Sequence, residues 1–261
     1  MARRSPCPRI CDVKALVVIP TYNESMNIEV MLRAVRRHAP RAAILVVDDG
    51  SPDGTAEIAE AVEAELGAIH VLRRREKAGL GSAYREGFAW GLREGFDALV
   101  EIDADFSHDP GALPEMFAAA EAGADVVIGS RYVPGGSIPD WSWHRKMLSR
   151  SGNRYASMML RLKVADSTAG YRIYQRGLLE RIDYSTVRAD GYGFQIEMTY
   201  RSRQASAVIS EVPISFVDRE RGQSKMSSSI IVEALWLVTV WGIQRLFGRA
   251  WRPNGVVSAV R

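Results

Sequence analysis

The chain has 261 residues, 47% of them hydrophobic and 25% charged, with a formal net charge of +3. That composition excludes a disordered chain, and the small charge gives no reason to expect nucleic acid as a partner. The length supports a core without disulfides. Cys7 and Cys11, with no further cysteine, make neither a disulfide framework nor a zinc site.

Residues 1–14 are expected to form a flexible basic arm carrying Arg3, Arg4 and Arg9. No apolar run long enough for a signal-peptide core follows it, so a reducing compartment is expected. Ala15–Ile19 reads as a buried strand ended by Pro20. Asn23–His38 has helical spacing. Ala43–Val47 is a second strand, Thr55–Leu66 a helix, and His70–Leu72 a third strand. Gly81–Glu94 is a helix and Ala98–Ile102 a strand. Pro110 opens a helix to about Ala122, and Asp125–Ile128 is a fifth strand. Strands alternating with helices predict a mostly parallel central sheet with helices on both faces, an α/β fold.

The polar segments Pro20–Glu24, Asp48–Asp53, Asp103–Asp109 and Gly129–Arg131 each follow a strand's C-terminal end, where open α/β sheets bind ligands. One cleft lined by carboxylates and glycines is therefore expected. After Tyr132 the alternation breaks down. Trp141–Ala165 carries Arg145, Lys146, Arg150, Arg154, Arg161 and Lys163 and no acid. Such a run is either a solvated face or a contact for anionic headgroups. A helix around Gly191–Ser202 and a strand around Ala207–Val212 follow.

Asp103-Ala-Asp105 beyond a buried strand suits a divalent cation shared with a diphosphate. It stands in an ordered series. Pro20-Thr-Tyr-Asn-Glu24 and Asp48-Asp-Gly-Ser-Pro-Asp-Gly-Thr55 precede it, as does Lys77-Ala-Gly-Leu-Gly-Ser-Ala83. His108, Pro110, Gly129-Ser-Arg-Tyr132 and Arg219-Glu-Arg-Gly-Gln-Ser-Lys225 follow. In this order the series resembles family-2 glycosyltransferases of the Rossmann-like GT-A fold, and within them the polyprenyl-phosphate (dolichol-phosphate) mannose synthases.

The resemblance implies a glycosyltransferase domain over residues 15–225 and inverting transfer of mannose from GDP-mannose to a polyprenyl phosphate. Mg²⁺ or Mn²⁺ would assist. Pro20, Tyr22, Glu24, Val47 and Asp49 would hold the nucleoside, and Asp103, Ala104 and Asp105 the ribose–diphosphate region. Asp103, Asp105 and Ser107 would form the metal site; relatives often carry Gln where Ser107 stands. Arg131, Arg219 and Lys225 would contact the donor's or the acceptor's phosphates, with Arg131, Arg145 and Ser149 on the acceptor's. Asp105, Arg131, Arg219 and Lys225 would carry catalysis. A helix would set Arg145 and Ser149 on one face. The acceptor is already an anion, so no general base is needed, and His108 reads as a structural turn residue rather than a base. Two alternatives stay open: the same reaction with UDP-glucose or another nucleotide sugar, and a non-catalytic nucleotide-binding membrane module.

Residues 226–247 contain an apolar run, Ile230–Phe247, interrupted by Glu233, Thr239, Gly242, Gln244 and Arg245. The interruptions argue against a spanning helix. An amphipathic helix in the membrane interface is expected, anchored by Trp236 and Trp241, with residues 248–261 as a tail. A core helix is the competing reading. The expected setting is peripheral, on the cytoplasmic face of an anionic membrane, with a membrane-protein partner for the C-terminal helix as a second route to the surface.

Overall fold

A computed structural model describes residues 13–218 and 228–248. The Cys7, Cys11, Arg219 and Lys225 readings lie outside those residues.

The strands are β1 Ala15–Thr21, β2 Ala43–Asp48, β3 Ile69–Arg73, β4 Ala98–Glu101, β5 Val126–Ser130, β6 Arg172–Gln175 and β7 Ile209–Pro213. They form one sheet in the order β3-β2-β1-β4-β6-β5-β7. β6 runs antiparallel between β4 and β5, and the other pairings are parallel. The helices are α1 Ile28–His38, α2 Thr55–Leu66, α3 Leu80–Arg93, α4 Leu113–Glu121, α5 Trp143–Leu160, α6 Arg176–Ile182, α7 Gly191–Gln204 and α8 Ser228–Leu246.

Strand side chains alternate between two cores, as the pleat requires. Val17, Ile19, Ile44, Val46 and Val100 pack with Met31, Leu32, Ala59 and Met116 from α1, α2 and α4. Leu16, Val18, Leu45, Val47 and Leu99 pack with Tyr84, Phe88, Leu178, Phe194 and Met198 from α3, α6 and α7. α3 lies very close to the sheet. A Cβ at Gly87 would collide with Val18, and one at Gly91 with Leu16 and Leu99.

α5 and α8 form a further layer over the outer side of α7, around Ala156, Leu160, Ile196, Tyr200, Ala234 and Val238. α7 is therefore covered by the sheet on one side and by helices on the other. α8 meets α5 through Gly242 against Met159 and through Tyr155 Oη to Thr239 Oγ1 at 2.7 Å. Its opposite face is apolar too: Val232, Leu235, Trp236, Ile243, Leu246 and Phe247 are all exposed. The expected polar face is thus narrow, with Glu233 and Gln244 exposed between the two apolar sides. Among the described residues, no helix is long and apolar enough to cross a membrane.

The structure departs most from the sequence reading at β1, α1, β6 and α6: β1 is not ended by Pro20 but runs through it to Thr21. α1 starts at Ile28, not Asn23, because residues 23–25 give their amides to another loop. β6 and α6 were not anticipated, since four residues between loop signals carry no readable period.

Candidate active site

The strand order reverses between β1 and β4, so a crevice opens beyond their C-terminal ends. Pro20 lies near the C-terminal end of β1 and Tyr22 and Glu24 follow it, Asp49 follows β2, and Asp103, Ala104 and Asp105 follow β4. These seven expected donor-site residues come to one edge. Val47, expected with them, is buried inside β2, which leaves only its backbone to offer.

The two β1–β2 loops build each other. Asn23 N–H goes to Ser51 Oγ at 2.9 Å, Glu24 N–H to Thr55 Oγ1 at 2.9 Å, and Ser25 N–H to Asp53 Oδ2 at 3.1 Å. Asp48 accepts from Thr21 Oγ1 and from Ser51 N–H and Oγ. The Asp48–Thr55 motif is therefore largely scaffolding for the Tyr22–Glu24 loop. Asp49 is buried against Arg74 at 2.5 Å. Burial pushes its carboxyl up, and Arg74 opposes that.

The Gly79-Leu-Gly81 block has a different cause. Asp190, at the start of α7, accepts from Gly81 N–H at 2.6 Å, and its carboxylate fills the space that a Cβ on Gly79 would need. Gly79 also has φ +90°, a conformation that suits glycine. Lys77 Nζ sits 4.7 Å from the ring centre of Tyr22, at the mouth of the crevice.

Asp103 is partly exposed, with Tyr84 Oη donating to Oδ1 at 3.3 Å. Asp105 is buried, and Ser107 N–H donates to its Oδ1 at 3.0 Å. Among the described residues no three His, Cys, Asp or Glu side chains gather into a metal cage. Two carboxylates in a crevice still fit a hard divalent ion, because Mg²⁺ typically takes one or two carboxylates plus substrate phosphates and waters. His108 is enclosed by Tyr171 and Phe216, 3.8 Å from Asp103. Burial lowers its imidazole to about 4, so it is neutral at pH 7. That environment suits a structural group better than a base.

Below the crevice lies a charged layer that the sequence reading missed. Glu101 is fully buried, and burial raises its carboxyl to about 8 against the opposing pull of Arg172 and Gln195. Arg172, also fully buried, donates to the carbonyls of Ala169, Ser167 and Gln195, to Tyr174 Oη and to Thr199 Oγ1.

The acceptor-side residues each have partners within the protein, and α5 carries both Arg145 and Ser149. Arg131 is buried, and Asp166 takes its Nε and Nη2 at 2.7 Å each, so its guanidinium is largely committed within the protein. Ser149 Oγ accepts from Tyr132 Oη at 2.6 Å. Arg145 stacks 3.8 Å from the Trp141 ring centre and pairs with Asp218. Trp141 Nε1 donates to the same carboxylate, so the chain just ahead of Arg219 is fixed beside α5. The basic segment is indeed helical, as α5, and its outward side forms a groove. About 400 Å³ is lined by Trp143, Lys146, Met147, Arg150, Ser151 and Arg154. A smaller cavity of about 80 Å³ joins Lys146 and Arg150 to Arg131, Gly136, Ser137 and Ile138.

The family model described as glycosyl transferase family 2 matches residues 16–183. The polyprenol monophosphomannose synthase of Mycolicibacterium smegmatis is 49% identical over 94% of this chain and 91% of its own. The undecaprenyl-phosphate mannosyltransferase of Micrococcus luteus is 48% identical over 88% of this chain and 95% of its own. Among solved structures, glucosyl-3-phosphoglycerate synthase from Mycobacterium tuberculosis, with Mn²⁺, UDP and glucosyl-3-phosphoglycerate, superposes with a TM-score of 0.62. It covers 94% of this chain and 82% of that one at 21% identity, and so speaks to the fold alone.

Proposed function

The chain belongs to glycosyl transferase family 2, and we propose that it transfers mannose from GDP-mannose to a polyprenyl phosphate with inversion at the sugar. One juxtaposition carries this reading. The carboxylates Asp103 and Asp105 follow β4, His108 joins Asp103 to the Phe216 ring, and Arg131 beside that ring shares a cavity with Lys146 and Arg150 of the cationic helix α5. A reaction that joins an anionic acceptor to an anionic donor needs both.

Tyr22, Glu24, Pro20 and Asp49 are assigned to the nucleoside and Asp103–Asp105 to the ribose and diphosphate. A divalent ion, Mg²⁺ or Mn²⁺, would be held by Asp103 and Asp105 and would stabilise the charge gathering on the leaving diphosphate. Arg219 and Lys225 complete the assignment to the phosphates. The acceptor phosphate oxygen attacks C1 as the bond from C1 to the diphosphate oxygen breaks, and that electron pair leaves with the diphosphate. The acceptor arrives deprotonated, so no side chain has to remove a proton. Neutral, enclosed His108 is consistent with that.

Incubation with radiolabelled GDP-mannose, Mg²⁺ or Mn²⁺ and polyprenyl phosphate should give an organic-extractable mannolipid. A panel with UDP-glucose and other donors tests the sugar and base. Label entering the lipid from UDP-glucose alone, or from no donor, would overturn the assignment.

The exposed stripe of α8 supports attachment at a membrane interface, for which the cytoplasmic face is the proposed setting. An exposed apolar patch of this kind marks an interaction surface, and Trp favours interfaces. Removing α8 would uncover the layer formed with α5 and α7, so surface substitutions test attachment more cleanly than truncation. Trp236→Ser with Leu246→Ser and Phe247→Ser should weaken binding to phosphatidylglycerol vesicles by at least about 10-fold, since each large side chain contributes about 1.5–3 kcal/mol when buried. Transfer to a short acceptor in detergent should persist. Unchanged vesicle binding would favour a protein partner for this helix.

A further inference from the structure

Arg131 and Asp166 form a buried ion pair beside the crevice. The carboxylate takes Nε, Nη2 and the backbone N–H of Arg131, and Nη2 also reaches Thr168 Oγ1 at 2.7 Å. Both residues are enclosed. Burying two charges carries a desolvation cost, and well-packed apolar residues often serve stability as well. The arrangement around the pair suggests a directional task.

The segment holding Asp166 is clasped from two sides. Glu211 on β7 accepts from the amides of Ala165 and Asp166 at 2.8 and 3.0 Å. Asn153 on α5 accepts from Ser167 N–H and Oγ and donates to Thr168 Oγ1. Rings of Tyr132, Trp141 and Phe216 stand 5.4–5.7 Å from the guanidinium. With Nε and Nη2 occupied, Nη1 is the corner of Arg131 that makes no hydrogen bond to a described residue. Arg131 lines the cavity of about 80 Å³ together with Lys146 and Arg150.

We propose that Asp166 is a positioning residue for the acceptor. It locks the plane of Arg131 so that the remaining edge serves the cavity as a fixed donor for a phosphomonoester, and through Thr168 and Asn153 it sets the same cavity's α5 wall. The Arg131–Asp166 pair is neutral as a unit, so Lys146 and Arg150 supply the net positive charge that attracts the anion. Fixed donors need no reorganisation when the ligand arrives, which is where such a lock acts. The inference rests on the reading of the acceptor as a lipid phosphate.

The test uses the full chain and farnesyl phosphate as probe, with calorimetric binding in detergent alongside steady-state transfer. Asp166→Asn retains the shape and removes the charge. The expected result is a rise of about 10-fold in the dissociation constant and KM for the phosphate acceptor, with the GDP dissociation constant and donor KM within about two-fold. A purely structural role would move donor and acceptor constants together, and that outcome overturns the proposal, as does an unchanged acceptor constant. Thr168→Val, a smaller perturbation, repeats the test if the Asn variant does not fold. A rise confined to the acceptor supports the proposal, and no rise or a joint rise overturns it. Wild-type protein that binds farnesyl phosphate saturably but transfers no mannose counts against the proposed function alone. Wild-type protein with no affinity for farnesyl phosphate overturns the positioning role itself.

Discussion

Asp105→Asn should reduce mannose transfer by at least about 1,000-fold, roughly 4 kcal/mol of transition-state stabilisation. The substitution keeps the oxygen that accepts from Ser107 N–H, so the loop around residues 103–108 has little reason to rearrange. What disappears is the negative charge assigned to the metal beside the leaving diphosphate. Melting temperature should stay within a few degrees of wild type, and GDP should still bind in the absence of metal. Excess Mn²⁺ should not restore the rate. Treating the wild type with EDTA should reproduce the loss, and returning the metal should reverse it. A variant that keeps more than a tenth of the wild-type rate would remove Asp105 from the metal site.

The second large effect concerns stability. Arg172→Met should destabilise the fold by about 4 kcal/mol or more, because each buried acceptor left without a partner costs about 1–3 kcal/mol. Arg172 serves three carbonyls and two hydroxyls, and it lies near Glu101, whose buried carboxyl it helps to keep ionisable. For a chain of this size the melting temperature should fall by about 10 °C or more. Scanning calorimetry checks this. A fall of under about 3 °C would mean that the carbonyls of Ala169, Ser167 and Gln195 find other partners. Arg172 touches none of the residues assigned to the donor, so the donor KM of the folded fraction should stay within about two-fold of wild type.

The parallel half of the sheet was legible because β1, β2, β4 and β5 are continuous apolar runs ended by polar residues, and each reads unambiguously. The crevice followed from those endings. Two kinds of information were not legible. The first is pairing across long separations. Arg131 reads as a free phosphate-binding cation until Asp166 is found on it, and nothing local announces that contact. Asp190 under Gly79 and Gly81 is a similar case, since the glycines were visible and their reason was not. The second is burial of charge. Glu101 and Arg172 look like ordinary surface residues in a linear chain, yet both are fully enclosed. The α8 run was visible, but its two apolar sides, one packed and one exposed, emerge only once α5 and α7 are in place.

The strand order has a consequence for how the chain assembles. β3, β2, β1 and β4 are all supplied by residues 15–101, so the sheet half bearing the carboxylates can form before residues 126–213 have been made. β4 then waits as an edge. Its other neighbour, β6, begins at Arg172, and β5 has no partner in the sheet until β6 and β7 exist. Loop closure over such separations is slow to be repaid by contacts. The clasp on Arg131 therefore forms later than the β1–β4 half, and a nascent chain holds the carboxylate crevice before it holds the Arg131 cavity.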